Sequence, residues 1–382
     1  MFTRIIQLLQ RNRKSKIFFL GFCFALLSLF PIFRNFYYSN GILTYERHIA
    51  ILEKRSEFYN PWQYRILCPG IVEGMMWVYN NTIDKIYPIE QKFAYTFNAT
   101  SAPTEETLKF FKLLNTKGAI KYLIIFIFFR FVEHLLIFLL AYVVWSYFIR
   151  NNWLIFFGLI FLTLAMGNSI AAADLAFNTY MDNILYLLTA CIILYRKSPL
   201  WLLAIVPLGA LNRETSIMIP FLYFISQMDF KNLNLRSFRF SHISFPPKKV
   251  WFITALAYVI FFVIFFSLRI YFGYREPQMW KVPSGLPMLK LNLLSPVAFK
   301  AYFEMIGTFG VIPFIILYVF RRFPHILKLW FIAIVPVWFF VHEYTVVTYQ
   351  TRLFLVPIIL VFLPMMLWLI ENEARKSLTF KV

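Results

Sequence analysis

Long apolar stretches separated by short polar connections make up most of the chain. Several of them reach about 18 residues, the length a helix needs to cross ~30 Å of hydrocarbon. None shows the two-residue alternation typical of a transmembrane strand. We therefore predict an all-α, polytopic transmembrane helical bundle, with spans at about 17–33, 120–149, 153–167, 183–195, 250–272, 302–320, 329–341 and 353–370.

The apolar segment 200–226 needs a separate interpretation, which depends on the charges around it. Lys and Arg concentrate on the cytoplasmic side of membrane proteins, and a single span here would put the basic loop 227–249 outside. A re-entrant hairpin with two arms of about 11–12 residues removes this conflict. We predict such a hairpin with the run 212–215 at its turn, both termini in the cytoplasm, and about eight to ten membrane segments in all.

Composition supports a membrane protein and excludes several other classes. Hydrophobic residues make up 60% of the chain and charged residues 15%, against roughly 25% charged in soluble domains. The net charge of +20 follows from basic residues that flank apolar runs, so no nucleic-acid partner is predicted. The three cysteines lack metal-ligand spacing, and no phosphate-binding glycine motif occurs, so no cofactor or metal is predicted.

The chain reads as a single membrane domain, 1–382, with one large loop near its start. Within that loop, 66–79 and 104–114 are too short to span, and the second is amphipathic, so we predict two surface helices. The predicted divisions are a cytoplasmic N-terminus with the first span, a large outer loop, a helical bundle and a cytoplasmic tail, at 1–33, 34–118, 119–372 and 373–382.

The outer loop contains the first candidate site. Glu46 lies about a dozen residues after the first span, where its carboxylate could act as a general base for an acceptor hydroxyl. Arg65, further along the same loop, has the planar fork that binds phosphate. Ordinary surface charges of a solvated loop are the alternative explanation for both residues.

Acidic and basic residues inside apolar segments are the next candidates. Asp174 follows a run of small apolar residues at membrane depth, where an ionisable group is costly and typical of a functional site. Asp182 suits the start of the next helix. In the hairpin turn, Arg213 and Glu214 either pair with each other, or Arg213 faces a ligand phosphate that Glu214 orients.

Two further groups lie at the predicted outer ends of spans. His342 and Arg352 flank the connection between the last two spans, where Arg352 either binds phosphate or extends to the interface. Arg130, Glu133 and His134 share one helix face near the outer surface, and we interpret them as a structural ion-pair cluster.

This layout resembles the GT-C class of membrane glycosyltransferases, which carry a long first outer loop and many spans. Glu46, the proline-flanked stretch Pro61-Trp62-Gln63-Tyr64-Arg65-Ile66-Leu67-Cys68-Pro69, the Asn-Arg-Glu-Thr run at 212–215 and Arg352 carry the resemblance. It implies transfer of a sugar from a polyprenyl-phosphate carrier to a glycan, lipid or protein acceptor at the outer face of the membrane. The lack of a small-residue cleavage site after the first apolar run, together with the small loops, favours a bacterial inner membrane.

The resemblance also implies roles for individual residues. Glu46 would deprotonate the acceptor hydroxyl, and direct displacement at the sugar would invert its anomeric carbon. Arg65, Arg213 and Arg352 would stabilise the departing phosphate, helped by Glu214 and His342. Asp174 would position the acceptor.

Other functions share parts of this pattern. A polysaccharide polymerase or ligase usually carries its large outer loop late in the chain, whereas here the loop comes first. A transporter often has duplicated halves with paired broken helices, and the broken segment 200–226 has no counterpart in the other half. A scaffold subunit would have no need of an Arg-Glu pair inside an apolar hairpin.

Overall fold

The computed structural model describes residues 13–37, 40–92, 105–172, 177–234, 239–276 and 282–379. Within these ranges, seven helices are long and apolar enough to cross a membrane, and a bent helix pair provides up to one more. The prediction of an all-α, multi-pass helical bundle is confirmed. The seven are Phe18–Phe36, Ala119–Ser146, Asn152–Ile170, Phe177–Leu194, Lys248–Phe272, His325–Thr345 and Thr351–Ser377.

Shorter helices connect the spans or lie beside them. In chain order the described helices are α1 Arg13–Tyr37, α2 Asn40–Leu52, α3 Leu67–Asn81, α4 Ile83–Ile86, α5 Ile89–Lys92, α6 Glu105–Leu114, α7 Ala119–Ser146, α8 Asn152–Ala172, α9 Phe177–Leu194, α10 Leu202–Asn212, α11 Met218–Ser226, α12 Lys248–Phe272, α13 Leu286–Leu294, α14 Pro296–Phe309, α15 Ile312–Tyr318, α16 His325–Thr345 and α17 Leu363–Thr379.

Two of these helices match the predicted pair in the large loop. The helix predicted at 66–79 is α3, and the amphipathic helix predicted at 104–114 is α6. One face of α3 is buried through Cys68, Val72 and Met76, so α3 packs against the bundle. The position of its apolar residues explains this contact, since a buried stripe needs a partner surface.

The span predicted at 302–320 is not one straight helix. It consists of α14 and α15, which bend by 73° relative to each other. Gly310 takes a φ of 58° at the break, a backbone conformation that glycine adopts without steric penalty. Pro313 follows in the first turn of α15 and has no N–H with which to continue the preceding helix.

Hydrogen bonds show which helix ends lie together. Near the end of α7, the Val143 carbonyl accepts from the Tyr195 hydroxyl at 2.9 Å. The Glu371 carboxylate accepts from the backbone N–H of Arg150 at 3.0 Å. We call this side of the bundle the basic end; it carries Arg150, Arg196, Lys197, Arg321 and Arg322. We call the opposite side, which carries the described parts of the large loop (40–92 and 105–118), the loop end.

The segment 200–226 begins and ends at the basic end of the bundle. Its first arm starts directly after Tyr195, and at the end of its second arm Ser226 Oγ accepts from Trp330 Nε1 at 2.8 Å. The Trp330 ring lies 6.3 Å from the ring of Phe148, which follows α7. The predicted re-entrant hairpin is confirmed: α10 and α11 are its arms, and a short 3-10 turn forms its tip.

A two-stranded antiparallel hairpin continues from α11 and was not predicted. Strand β1, Asp229–Asn234, pairs with β2, Arg239–Ser244, in a register that sets Asp229 opposite Ser244 and Asn234 opposite Arg239. It is the only β-structure within the described ranges. Because Ser226 marks the basic end, this hairpin lies outside the helical bundle at that end.

The final span is irregular in its first half, with a π-helical turn at Ile358–Phe362. Pro364 has no N–H to donate, so a carbonyl of the preceding turn is left without its helical partner. The carbonyl of Ile359 instead accepts from the indole Nε1 of Trp145 at 2.8 Å. A neighbouring helix thus satisfies a backbone group that lipid could not.

Candidate functional site

The tip of the re-entrant hairpin is fastened to α9 by two asparagines. Asn212 Nδ2 donates to the Asn178 carbonyl at 2.9 Å, and Asn178 Nδ2 donates to the Asn212 carbonyl at 3.2 Å. The Cys68 thiol, at the start of α3, donates to Asn212 Oδ1 at 3.4 Å. The large loop, α9 and the hairpin tip therefore meet at one point.

Asp182 holds the other side of the tip. Its fully buried carboxylate accepts from Thr215 Oγ1 at 2.7 Å and from Ser216 Oγ at 3.0 Å. The prediction that Asp182 marks a helix start is wrong, because α9 already begins at Phe177. Its carboxylate binds hairpin hydroxyls instead of backbone N–H groups at a helix terminus.

Aromatic residues of the large loop position Arg65. The Tyr59 hydroxyl donates to the Phe272 carbonyl at 2.6 Å, and the Tyr64 hydroxyl donates to the Gly273 carbonyl at 3.0 Å. Both carbonyls lie at the loop end of α12. Because Tyr64 precedes Arg65 directly, this docking fixes the arginine beside α12 and the hairpin tip.

Glu214 pairs with two arginines that are distant in sequence. Arg65 Nη2 lies 2.7 Å from Glu214 Oε2, and Arg269 Nη2 lies 3.6 Å from Glu214 Oε1. The local Arg213–Glu214 pair, one of two predicted interpretations, is not among the ion pairs of the described residues. Arg269 was missed because a lone arginine at the end of an apolar run is common at membrane interfaces.

Among the described residues, neither Arg213 nor Arg352 forms an ion pair with a carboxylate. Arg213 is buried and reaches Thr179 Oγ1 at 3.5 Å, while Arg352 Nη2 donates to Gln350 Oε1 at 3.0 Å. The Nε atoms of both arginines are buried, with no hydrogen-bond partner in the described part of the chain. The two guanidinium groups lie within electrostatic range of each other and of Arg65.

We call Arg65, Arg213, Arg269 and Arg352 the arginine cluster. Its four positive charges face the two carboxylates of Asp182 and Glu214, which leaves a net charge of +2. Cations without counter-ions are unfavourable away from water. Such a cluster attracts an anion, and the planar forks of several arginines suit phosphate oxygens.

His342 forms part of the wall around this cluster. It is buried, its Nδ1 lies 2.7 Å from the Trp338 carbonyl, and its ring stacks on Trp338 at 5.5 Å. It also lies within electrostatic range of Arg213 and Arg65. Five of the seven predicted site residues are therefore brought together, namely Arg65, Arg213, Glu214, His342 and Arg352.

Of the two predicted catalytic acids, the structure describes only Glu46. Glu46 is exposed on α2, next to Arg47, whose guanidinium covers the Trp62 ring at 4.5 Å. Burial lowers the pKa of Arg47, partly offset by Glu57 and Glu46, and Arg47 in turn lies within electrostatic range of Arg352. Glu46 is thus at the margin of the cluster. Asp174 lies outside the described residues.

A cavity of about 680 Å³ opens on the flank of α12 beside the cluster. Its lining is mainly apolar, and Phe266 and Ile270 are exposed on the bundle surface. Arg269 links the cavity to Glu214. The lining residues are Asn60, Phe265, Phe266, Arg269, Ile270, Gly273 and Tyr274.

The group Arg130, Glu133 and His134 is buried inside the bundle rather than at its surface. Arg130 Nη2 donates to Thr44 Oγ1 at 3.1 Å, and His134 Nδ1 lies 3.2 Å from the Ser28 carbonyl. Neither Glu133 oxygen has a hydrogen-bond partner among the described residues. Arg130 and Glu133 nevertheless lie within electrostatic range of each other, so the interpretation of this group as a structural ion-pair cluster stays a prediction.

A second polar group, without a sequence signal, lies in the large loop. His48 Nε2 is 2.8 Å from Glu73 Oε1, which also accepts from the Tyr122 hydroxyl at 2.9 Å. Burial lowers the pKa of His48, although the Glu73 carboxylate opposes this shift. These residues fasten α2 and α3 to α7.

Among the described residues, no group of three or more His, Cys, Asp or Glu side chains could hold a metal ion. No family model, curated protein or solved structure matches the chain. Arguments about function therefore rest on the geometry of the arginine cluster and its surroundings.

Proposed function

We propose that the protein is a membrane glycosyltransferase that moves a sugar from a polyprenyl-phosphate carrier to a glycan, lipid or protein acceptor. The observation that supports this is the arginine cluster, with its net charge of +2, beside a cavity on the lipid-facing flank of α12. A substrate with a phosphate and a long apolar chain matches both features. By the positive-inside rule the basic end is cytoplasmic, so the site faces outside, in our proposal across a bacterial inner membrane.

The arginines act on the phosphate in this proposal. Arg213 and Arg352, which form no ion pair with a carboxylate in the described part of the chain, bind its oxygens, and Arg269 guides it from the cavity that receives the prenyl chain. The charge on the phosphate grows as the bond to the sugar breaks. Fixed cations in a site of low dielectric constant stabilise that growing charge.

Glu46 accepts the proton of the acceptor hydroxyl. The hydroxyl oxygen then forms a bond to the anomeric carbon of the sugar, while the bond from that carbon to the phosphate oxygen breaks. The polyprenyl phosphate leaves with the electron pair, and the anomeric configuration inverts. The exposure of Glu46 beside Arg47 leaves it open to an acceptor that arrives from water, and Asp174 positions that acceptor.

A transporter is the second candidate, and the helix breaks favour it. The re-entrant hairpin and the 73° bend between α14 and α15 are two discontinuities among the membrane segments. Broken helices often form substrate sites in transporters. In that case the arginine cluster would bind an anion that crosses the membrane intact.

One experiment separates the two candidates. Purified protein in bicelles is supplied with polyprenyl-phosphate-linked hexoses and pentoses, and released polyprenyl phosphate is measured. Arg352→Gln should lower release about 100-fold, as expected for loss of one fixed charge in the transition state. Arg321→Gln changes an exposed arginine at the basic end and is the matched control.

A second variant tests the base. Glu46→Gln should abolish transfer but leave binding of farnesyl phosphate, a short prenyl phosphate, unchanged. Full transfer by Glu46→Gln would exclude Glu46 as the base, and full transfer by Arg352→Gln would exclude the phosphate site. Uptake of labelled phosphate sugar into proteoliposomes, without bond cleavage, would favour the transporter.

A further inference from the structure

The Glu214 carboxylate occupies a position that a phosphate would take. Its Oε2 accepts from Arg65 Nη2 at 2.7 Å and from Arg65 Nε at 3.2 Å, and its Oε1 faces Arg269 Nη2 at 3.6 Å. Two oxygens of one anion, each directed at an arginine, reproduce the way phosphate oxygens bind such forks. Glu214 is therefore an internal anion within the arginine cluster.

The arginine cluster has two unequal halves for this reason. Arg65 and Arg269 already share the Glu214 carboxylate, whereas Arg213 and Arg352 each retain a buried Nε atom with no hydrogen-bond partner in the described ranges. A ligand phosphate can bind the second pair directly. To bind Arg65 and Arg269 as well, the phosphate must either displace Glu214 from these two arginines or share them with it.

We propose that Glu214 is a specificity-determining residue that competes with the lipid phosphate for Arg65 and Arg269 and so limits how tightly that phosphate is held. This inference rests on the proposed function. With Glu214 charged, the cluster and its two carboxylates carry +2, and with a neutral residue in its place they would carry +3. The leaving polyprenyl phosphate is a monoester with a charge of about −1.5 to −2 at neutral pH. With Glu214 charged, the +2 of the cluster is therefore close in magnitude to the charge of the leaving polyprenyl phosphate, and there is no excess positive charge to slow its release.

The test measures binding of farnesyl phosphate to the purified full-length protein. Glu214→Gln keeps the shape of the side chain and removes its charge, and it should lower the dissociation constant at least about tenfold. Turnover should fall in the same variant, because release of the product becomes slower. Glu73→Gln is the control: Glu73 is a partly exposed carboxylate of the large loop, bonded to His48 and Tyr122, and binding should stay within about twofold of wild type.

If Glu214→Gln bound farnesyl phosphate no more tightly than wild type, the inference would be overturned. That result is expected if the carboxylate only holds Arg65 and Arg269 in position, because its loss would then weaken the phosphate site. Thermal melting of Glu214→Gln, compared with that of wild type in the same detergent, guards against misfolding of the variant. A variant that melts as wild type does but binds farnesyl phosphate no more tightly would assign Glu214 a structural role.

The same measurements distinguish this inference from the proposed function. If wild-type protein binds farnesyl phosphate and Arg352→Gln weakens that binding, but Glu214→Gln does not tighten it, then only the competition by Glu214 is refuted. If wild-type protein does not bind farnesyl phosphate at all, the proposed function and the inference are both refuted.

Discussion

Replacement of Asp182 should detach the tip of the re-entrant hairpin from α9. Its buried carboxylate accepts hydrogen bonds from the hydroxyls of Thr215 and Ser216 at the tip. Among the carboxylates of the described residues it also has the largest electrostatic effect on Arg213. Asp182→Ala would leave both hydroxyls without their acceptor. It would also leave Arg213 in an apolar environment with one carboxylate fewer.

The size of the effect follows from these contacts. Leaving a buried polar group without its partner costs about 1–3 kcal/mol, and Asp182→Ala does this to both tip hydroxyls. Asp182 and Arg213 form no ion pair among the described residues, so the lost carboxylate charge adds only a smaller, longer-range contribution. These contributions arise in one cavity and do not add fully. We expect about 4 kcal/mol for Asp182→Ala and about 2 kcal/mol for Asp182→Asn, which keeps one acceptor oxygen.

The assay is the free energy of unfolding in detergent micelles, followed by tryptophan fluorescence. Asp229→Ala is the control, because Asp229 is an exposed carboxylate just after the same hairpin. Exposed substitutions usually change stability by less than about 0.5 kcal/mol. If Asp182→Ala were no more destabilising than Asp229→Ala, the contacts assigned to Asp182 would not support the hairpin.

Two further predictions concern topology and pH. In a protein whose native cysteines are replaced, single cysteines at the exposed positions Ser198 and Asp229 should react with a membrane-impermeant thiol reagent from the same side of the membrane. A cysteine at Asn80 should react from the other side. Labelling of positions 198 and 229 from opposite sides would exclude a re-entrant hairpin. Burial lowers the pKa of His48 despite Glu73, so the folded state binds fewer protons than the unfolded state. The free energy of unfolding should therefore decrease as pH falls through about 6.5. His48→Gln should make that decrease smaller in melting curves recorded from about pH 8 to pH 5, and an unchanged decrease would contradict the role of His48.

The membrane segments could be predicted because hydropathy and charge act locally. Seven of the eight predicted spans correspond to one candidate membrane span each, and the charges of the loop 227–249 led to the correct prediction of a hairpin at 200–226. The break between α14 and α15 depends on Gly310 and Pro313 inside an apolar run, where local backbone geometry outweighs hydropathy. The strands β1 and β2 lie in the loop 227–249, where polar and apolar residues alternate over 232–236 and 237–241. They were missed because this loop was interpreted only through its charges.

The site was only partly predictable, for a different reason. Arg213 and Arg352 could be predicted as site residues because a charge inside an apolar segment is energetically costly and is typical of a functional site. The pairing of Glu214 with Arg65 and Arg269 joins three segments that no local pattern connects. Asp182 was misassigned because its helix was thought to begin where the apolar run begins, whereas α9 starts at Phe177 with polar residues that the bundle buries.

The polar tip of the re-entrant hairpin also constrains how the protein is made. A helix that carries Arg213 and Glu214 into bare lipid would meet an insertion penalty of about 2.5–3.5 kcal/mol for the arginine alone. The upstream helix α9 offsets part of that penalty with Asp182 and Asn178, and Arg65 of the large loop pairs with Glu214. These partners precede the hairpin in the chain, whereas Arg269 of α12 follows it. During synthesis Glu214 can therefore pair with Arg65 first, and its second arginine joins only when α12 has been made.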